Sequence, residues 1–172
     1  MNILKTAVHP DLGILQGKSQ FKRIATRAIC LNKEEILLLY TERYHDYSLP
    51  GGGLDKGEDI VEGLKRELIE ETGAQNIRNI KPFGVYEEFR PWYKPDFDIQ
   101  HIFSYCYVCT IDSRLGETSH EDYEVDNGMS PLWINIHEAI RRNEETQKNS
   151  PKKGMSIERE TFLLKLIAKE LL

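Results

Sequence analysis

Three glutamates, Glu67, Glu70 and Glu71, stand at i, i+3 and i+4 in the segment Arg66 to Gly73. At 100° per residue they fall within about 100° of one another on a helix surface. Leu64, Leu68 and Val61 lie between about 60° and 120° from Glu67, so the apolar stripe adjoins the acidic one. Such a helix buries one side against a sheet and holds three carboxylates at the edge of the buried face. Like charges at i, i+4 repel by a few tenths of a kcal/mol, and partial burial sharpens the conflict. A cation among them resolves it. Carboxylate oxygens suit hard ions, Mg²⁺ first, with Mn²⁺ able to substitute. Arg66 is an i, i+4 neighbour of Glu70 and can hold its rotamer. Ahead of the helix, Gly51, Gly52 and Gly53 let the backbone turn tightly and leave N–H and carbonyl groups free for a metal or a phosphate. The bland alternative for the three acids alone is a solvated helix face.

The full segment resembles the Nudix box, G-x5-E-x7-R-E-U-x-E-E-x-G-U, where U is a bulky aliphatic. Gly52, Glu58, Arg66, Glu67, Glu70, Glu71 and Gly73 fill the seven fixed positions, and Leu68 fills the first aliphatic one. Ala74 departs from the last aliphatic position, which concerns packing after the helix. At average residue usage, seven such identities arise by chance on the order of 10⁻⁸ per start position. The resemblance implies an α/β/α sandwich and metal-dependent hydrolysis of a nucleoside diphosphate linked to another moiety, by water attack at phosphorus. It implies that Glu67, Glu70 and Glu71 hold the metals, with the Gly51 carbonyl often completing the shell. It also implies that Glu58 braces the loop through Arg66. The base is Glu67 or a later acid, for which Glu121, Asp122 and Glu124 are the candidates. A nucleotide-sensing module without turnover is the alternative, although sensors commonly carry eroded boxes.

Other residues are candidates by type. Arg27 shares a strand face with Arg23, and a guanidinium suits phosphate; Arg43 and His45 precede the glycines. Trp92, beside Pro91 and Tyr93, offers an aromatic face for a nucleobase. Cys106 and Cys109 have redox or zinc spacing, but on a strand i and i+3 point to opposite faces, so both read as apolar fillers. His101 reads as a hydrogen-bonded histidine rather than a ligand.

These residues need elements to position them. Arg23 to Leu31 and Ile36 to Thr41 read as two strands joined in a hairpin, and Tyr47 to Leu49 as a short extended piece. Asp59 to Thr72 reads as the acidic helix, stopped by Gly73. Ile77 to Phe89, Ile99 to Ile111 and Leu132 to Ile134 read as further strands. Trp133, Ile136 and Ile140 fall at helical spacing, a stripe that polar Asn143 ends; Glu144 to Gly154 reads as a loop. A final amphipathic helix spans 155–172. Strands with three helices predict an α/β class, a mixed sheet covered by helices, in one domain over 1–172 with residues 1–20 as an N-terminal extension.

With 172 residues and a net charge of −5, the chain lacks the basic surface that non-specific nucleic-acid binding needs. Its longest apolar run, Ile36 to Tyr40, is far short of a membrane span, and residues 1–17 lack a secretory apolar stretch. A cytoplasmic protein with a small-molecule nucleotide-type diphosphate substrate, and no membrane or nucleic-acid polymer partner, is expected. The first 20 residues and the last helix are the segments through which a homodimer would form.

Overall fold

The computed structural model describes residues 1–172 as eight strands and four helices. The strands are β1 (Ile3–Val8), β2 (Gln20–Ile29), β3 (Leu31–Asn32), β4 (Glu35–Thr41) and β5 (Asp46–Ser48), then β6 (Arg78–Pro91), β7 (Ile99–Thr110) and β8 (Met129–Asn135). The helices are α1 (Ile60–Thr72), α2 (Asp122–Asp126), α3 (Ile136–Asn149) and α4 (Ile157–Leu171).

One sheet has the order β1-β6-β7-β2, with β1/β6 and β2/β7 parallel and β6/β7 antiparallel. In the other, β4 pairs antiparallel with β8 along its whole length and with β3 and β5 at its two ends. Ile36 to Leu39 of β4 are all buried, an unbroken apolar run because both faces of the strand are covered. Leu37 packs with Leu64 and Leu68 of α1, whereas Ile36 and Leu38 join Ala139 of α3 and Leu163, Leu164 and Ile167 of α4. Helices therefore cover both sides of an α/β layered structure.

The structure adds to or departs from the sequence reading in several places. Arg23 to Leu31 is not one strand: the chain leaves β2 at Ile29 and crosses sheets at Cys30, so only β3 forms the hairpin with β4. The backbone of β2 pairs instead with β7, from Gln20↔Ile99 to Ile29↔Val108, a partner far along the chain. Residues 1–20 contain β1, which adds an edge strand beside β6. Helix α3 runs to Asn149 through the segment read as a loop, and α2 is an additional short helix. Asn143 continues the buried face of α3 because its amide is satisfied: Oδ1 accepts from Tyr47 N–H at 2.8 Å and Nδ2 donates to Tyr47 carbonyl oxygen at 2.8 Å.

Candidate functional site

Helix α1 is fixed at both ends. Asp59 caps its start, accepting from Val61 and Glu62 N–H at 2.9 and 3.2 Å, and Gly73 ends it in the left-handed region. Burial of Leu64 and Leu68 against Ala28, Cys30 and Leu37 sets its rotation, which carries the three glutamates to the rim of the core.

They then take different partners. Arg66 grips Glu58 through two bonds, Nε to Oε1 at 2.7 Å and Nη2 to Oε2 at 3.0 Å. The same guanidinium reaches Glu67 at 2.9 Å, Glu70 at 3.2 Å and the Gly53 carbonyl at 3.3 Å. That grip holds the Glu58 carboxyl down at about 2. Glu71 points the other way: 4% exposed, it accepts the Gly51 N–H at 2.6 Å. Burial pushes its carboxyl well above the ordinary value, and Glu67 and Glu124 add to the effect against the Gly51 N–H and Arg27. Glu67 is raised mainly by burial too, with Arg66 opposing.

The glycine-rich turn lies along β2. Thr26 and Ala28 N–H donate to the carbonyls of Gly52 and Pro50 at 2.9 and 2.8 Å, and Leu54 N–H donates to Ile24. Gly51 has φ +138°, and a Cβ there would stand 2.0 Å from the Thr26 carbonyl oxygen. A Cβ on Gly52 would stand 2.7 Å from the Glu67 carboxyl. The turn thus brings backbone up against the acids as closely as glycine alone permits. The Gly51 carbonyl accepts Nη1 of Arg27, whose Nε has no partner.

Glu67, Glu70 and Glu71 do not converge on one point in this arrangement, because Arg66 draws the first two and Gly51 the third. The donor set is oxygen throughout, and the buried carboxylates repel one another, so the chemistry of the residues fits a hard divalent ion.

Beside the turn a cleft of about 280 Å³ opens between the two sheets. Arg23, Arg27, Glu71 and Glu124 line it together with Gly51 to Gly53. Of the later acids, Glu124 is buried there, receiving Glu121 N–H at 2.8 Å and Tyr123 hydroxyl at 3.2 Å, whereas Glu121 and Asp122 are exposed and do not line the cleft. Arg43 and Trp92 do not line it either. Arg43 bonds Asn127 Oδ1 at 3.1 Å and covers the Tyr44 ring; Trp92 packs between Phe21 and Tyr93 and donates to Asp96. His101 pairs with Glu87 at 2.8 Å. Cys106 and Cys109 face opposite clusters, and Cys109 meets Cys30 across the strands, sulfur to sulfur at 3.3 Å.

The cleft also holds residues that sequence spacing did not single out. Asp46 of β5, Gln100 of β7, and Arg90, Arg159 and Glu160 all line it. Arg159 bridges Glu88 at 2.6 Å and Glu160 at 2.7 Å, Arg90 reaches Glu88 at 2.9 Å, and Glu160 Oε2 accepts Leu49 N–H at 2.8 Å. The only sequence trace of this network is charge on the apolar side of α4, where Arg159-Glu160 interrupts the hydrophobic stripe.

Residues 21–155 match the NUDIX domain family. The chain belongs to that family. It is 39% identical over 112 residues to Nudix hydrolase 12, mitochondrial, of Arabidopsis thaliana, covering 64% of this chain and 52% of that protein. It is 31% identical over 123 residues to human diphosphoinositol polyphosphate phosphohydrolase 3-alpha, covering 67% and 66%. The chain thus spans about half of the first relative and under two thirds of the second. Among solved structures, a NUDIX hydrolase from Nitrosomonas europaea superposes with a TM-score of 0.57 at 16% identity, over 87% of this chain and 91% of that one. A MutT NUDIX hydrolase from Burkholderia pseudomallei gives 0.52 at 19% identity, over 68% and 85%. These two share the fold. No helix is long and apolar enough to cross a membrane.

Proposed function

We propose that this chain is a Nudix-type pyrophosphohydrolase, cleaving a pyrophosphate bond in a nucleoside diphosphate linked to another moiety. One observation carries the reading: a carboxylate, Glu71, is buried beside Glu67 and Glu124 at the lip of a cleft, with a backbone N–H from the glycine turn as its hydrogen-bond partner. Carboxylates are buried together at such cost where a cation is to join them. When bound, divalent ions, Mg²⁺ with Mn²⁺ able to substitute, neutralise the diphosphate and lower the pKa of the attacking water.

Glu67, Glu70 and Glu71 would hold those ions, with the Gly51 carbonyl close by. Arg66, anchored on Glu58, sets the rotamers of Glu67 and Glu70. Arg27 lies inside the cleft with an unpartnered Nε, and Arg23 makes no ion pair; both offer donors to phosphate oxygens. Glu67 or Glu124 accepts the proton from water, since both lie by Glu71 and Glu121 and Asp122 face solvent. In-line attack then rests on positioning and charge stabilisation. We place the activity in the cytoplasm, in keeping with three cysteines held as thiols.

The test is a phosphate-release screen over nucleoside triphosphates, nucleotide sugars, ADP-ribose, dinucleoside polyphosphates and coenzyme A, with Mg²⁺ or Mn²⁺. Glu71→Gln serves as the blank and should lose turnover by orders of magnitude with its fold intact. Equal activity in the blank removes Glu71 from the metal site. Silence across the panel, with ligands still raising the melting temperature, favours a sensing module.

A further inference from the structure

The cleft has two ends, with Arg27 in the field of both. Glu71 feels Arg27, Glu67 and Glu124, whereas Asp46 feels Glu160 and Arg159, so the two acids belong to different neighbourhoods of one space. At the Asp46 end the arginines are already committed: Arg90 is paired with Glu88, and Arg159 with both Glu88 and Glu160. In the cleft wall at that end Asp46 and Glu160 face Arg90 and Arg159, and Arg27 feels Arg159 and Glu160 as well as Glu71.

Asp46 itself is uncommitted. It is 5% exposed, accepts no hydrogen bond and pairs with no cation, yet it lines the cleft. Gln100, 7% exposed and also lining the cleft, has an Nε2 without a partner. A buried amide donor left unsatisfied is costly, and the Asp46 carboxylate, open only to the cleft and without a cation, is the acceptor that an arriving group would meet. A further phosphate group is the wrong arrival, because it would meet the unpaired Asp46 carboxylate. What fits is an uncharged group offering N–H or O–H donors to Asp46 and an acceptor to Gln100.

We infer that Asp46 and Gln100 read the non-reacting part of the substrate, and that this part is an uncharged, donor-bearing group, the amino or imino edge of a nucleobase or the hydroxyls of a sugar. This rests on the proposed hydrolysis only in taking the diphosphate to lie at the Glu71 end. It excludes a ring crowded with phosphates from that position.

The experiment measures binding by calorimetry in Mg²⁺, for the parent, Asp46→Ala and Asp46→Asn. The probes are AMP, GMP, ribose 5-phosphate, inorganic pyrophosphate and inositol hexakisphosphate. The parent should bind at least one nucleoside monophosphate and bind inositol hexakisphosphate no more than weakly. Asp46→Ala should weaken the monophosphate about tenfold, as loss of a hydrogen bond to a charged group does, while pyrophosphate binding changes less than about twofold. Asp46→Asn, which keeps one acceptor oxygen, should recover part of the loss. Ribose 5-phosphate that follows AMP assigns the donors to the sugar; if it fails to bind, they belong to the base. Melting temperatures at or above that of the parent show both variants folded. Inositol hexakisphosphate binding as tightly as the nucleotides overturns the inference, as does an equal loss for pyrophosphate or no binding of any monophosphate. Monophosphate binding without any hydrolysis would defeat the proposed activity and leave this inference standing.

Discussion

Glu71 gives up water on folding and receives one N–H from Gly51 in return, beside two other acids. Its carboxyl is therefore held above the ordinary glutamate range, so the native state prefers the proton and ionisation costs stability as pH rises past that range. In chelator at neutral pH, Glu71→Gln should melt a few degrees above the parent. Mg²⁺ should then raise the parent far more than the variant, by about 2.7 kcal/mol at a hundred times its dissociation constant. Scanning calorimetry reads both effects, and a lower melting point for metal-free Glu71→Gln would mean that the ionised carboxylate is stabilising. Asp46 follows the same sign with a defined window. Burial, with Glu160 adding, raises it from 3.8 to about 6, so its contribution to stability is lost as pH climbs from about 4 to about 6 and is flat beyond. The loss amounts to about 3 kcal/mol. Urea melts across that range should show the fall in the parent and a shallower one in Asp46→Asn. The acids of α1 were legible from spacing because a helix brings i, i+3 and i+4 together by itself. Asp46 and Gln100 were not, because strands far apart in sequence bring them to one cleft.

Between its two caps, α1 behaves as one rigid carrier for the carboxylates. Removing the Asp59 oxygen that receives Val61 and Glu62 N–H should cost about 1 kcal/mol in Asp59→Ala, read as a lower urea midpoint at unchanged slope. The glycine-rich turn tolerates far less. Gly51→Ala combines φ +138° with a Cβ only 2.0 Å from the Thr26 carbonyl, so the turn must leave β2, at a cost of at least about 2 kcal/mol. Its urea midpoint should fall well below that of Asp59→Ala. Helix α1 and its stop at Gly73 were readable because capping is local. The partners of β2 were not, since a local turn at Lys33 to Glu35 suggested a hairpin while the hydrogen bonds of β2 go to β7.

Across the molecule, the matched family segment stops at residue 155, yet α4 lies beyond it and supplies Arg159 and Glu160 to the cleft wall. Arg159 is the shared cation of Glu88 and Glu160, all three buried. Arg159→Leu leaves Glu160 without a cation and Glu88 with Arg90 alone, and should cost about 3–5 kcal/mol, measured by denaturant unfolding. A loss below about 1 kcal/mol would show that the acids find water or shed their charge instead. The amphipathic stripe of α4 was plain in the sequence, but its charged pair looked like surface because only the fold places Glu88 opposite it.

The bond from Leu49 N–H to Glu160 joins residues 111 positions apart. During synthesis at about 5–20 residues per second, Leu49 therefore waits roughly 6–22 s for its acceptor to be made. Throughout that interval the acidic helix exists without the final anchor of the turn that serves it. The site is set in order by a helix made well after it.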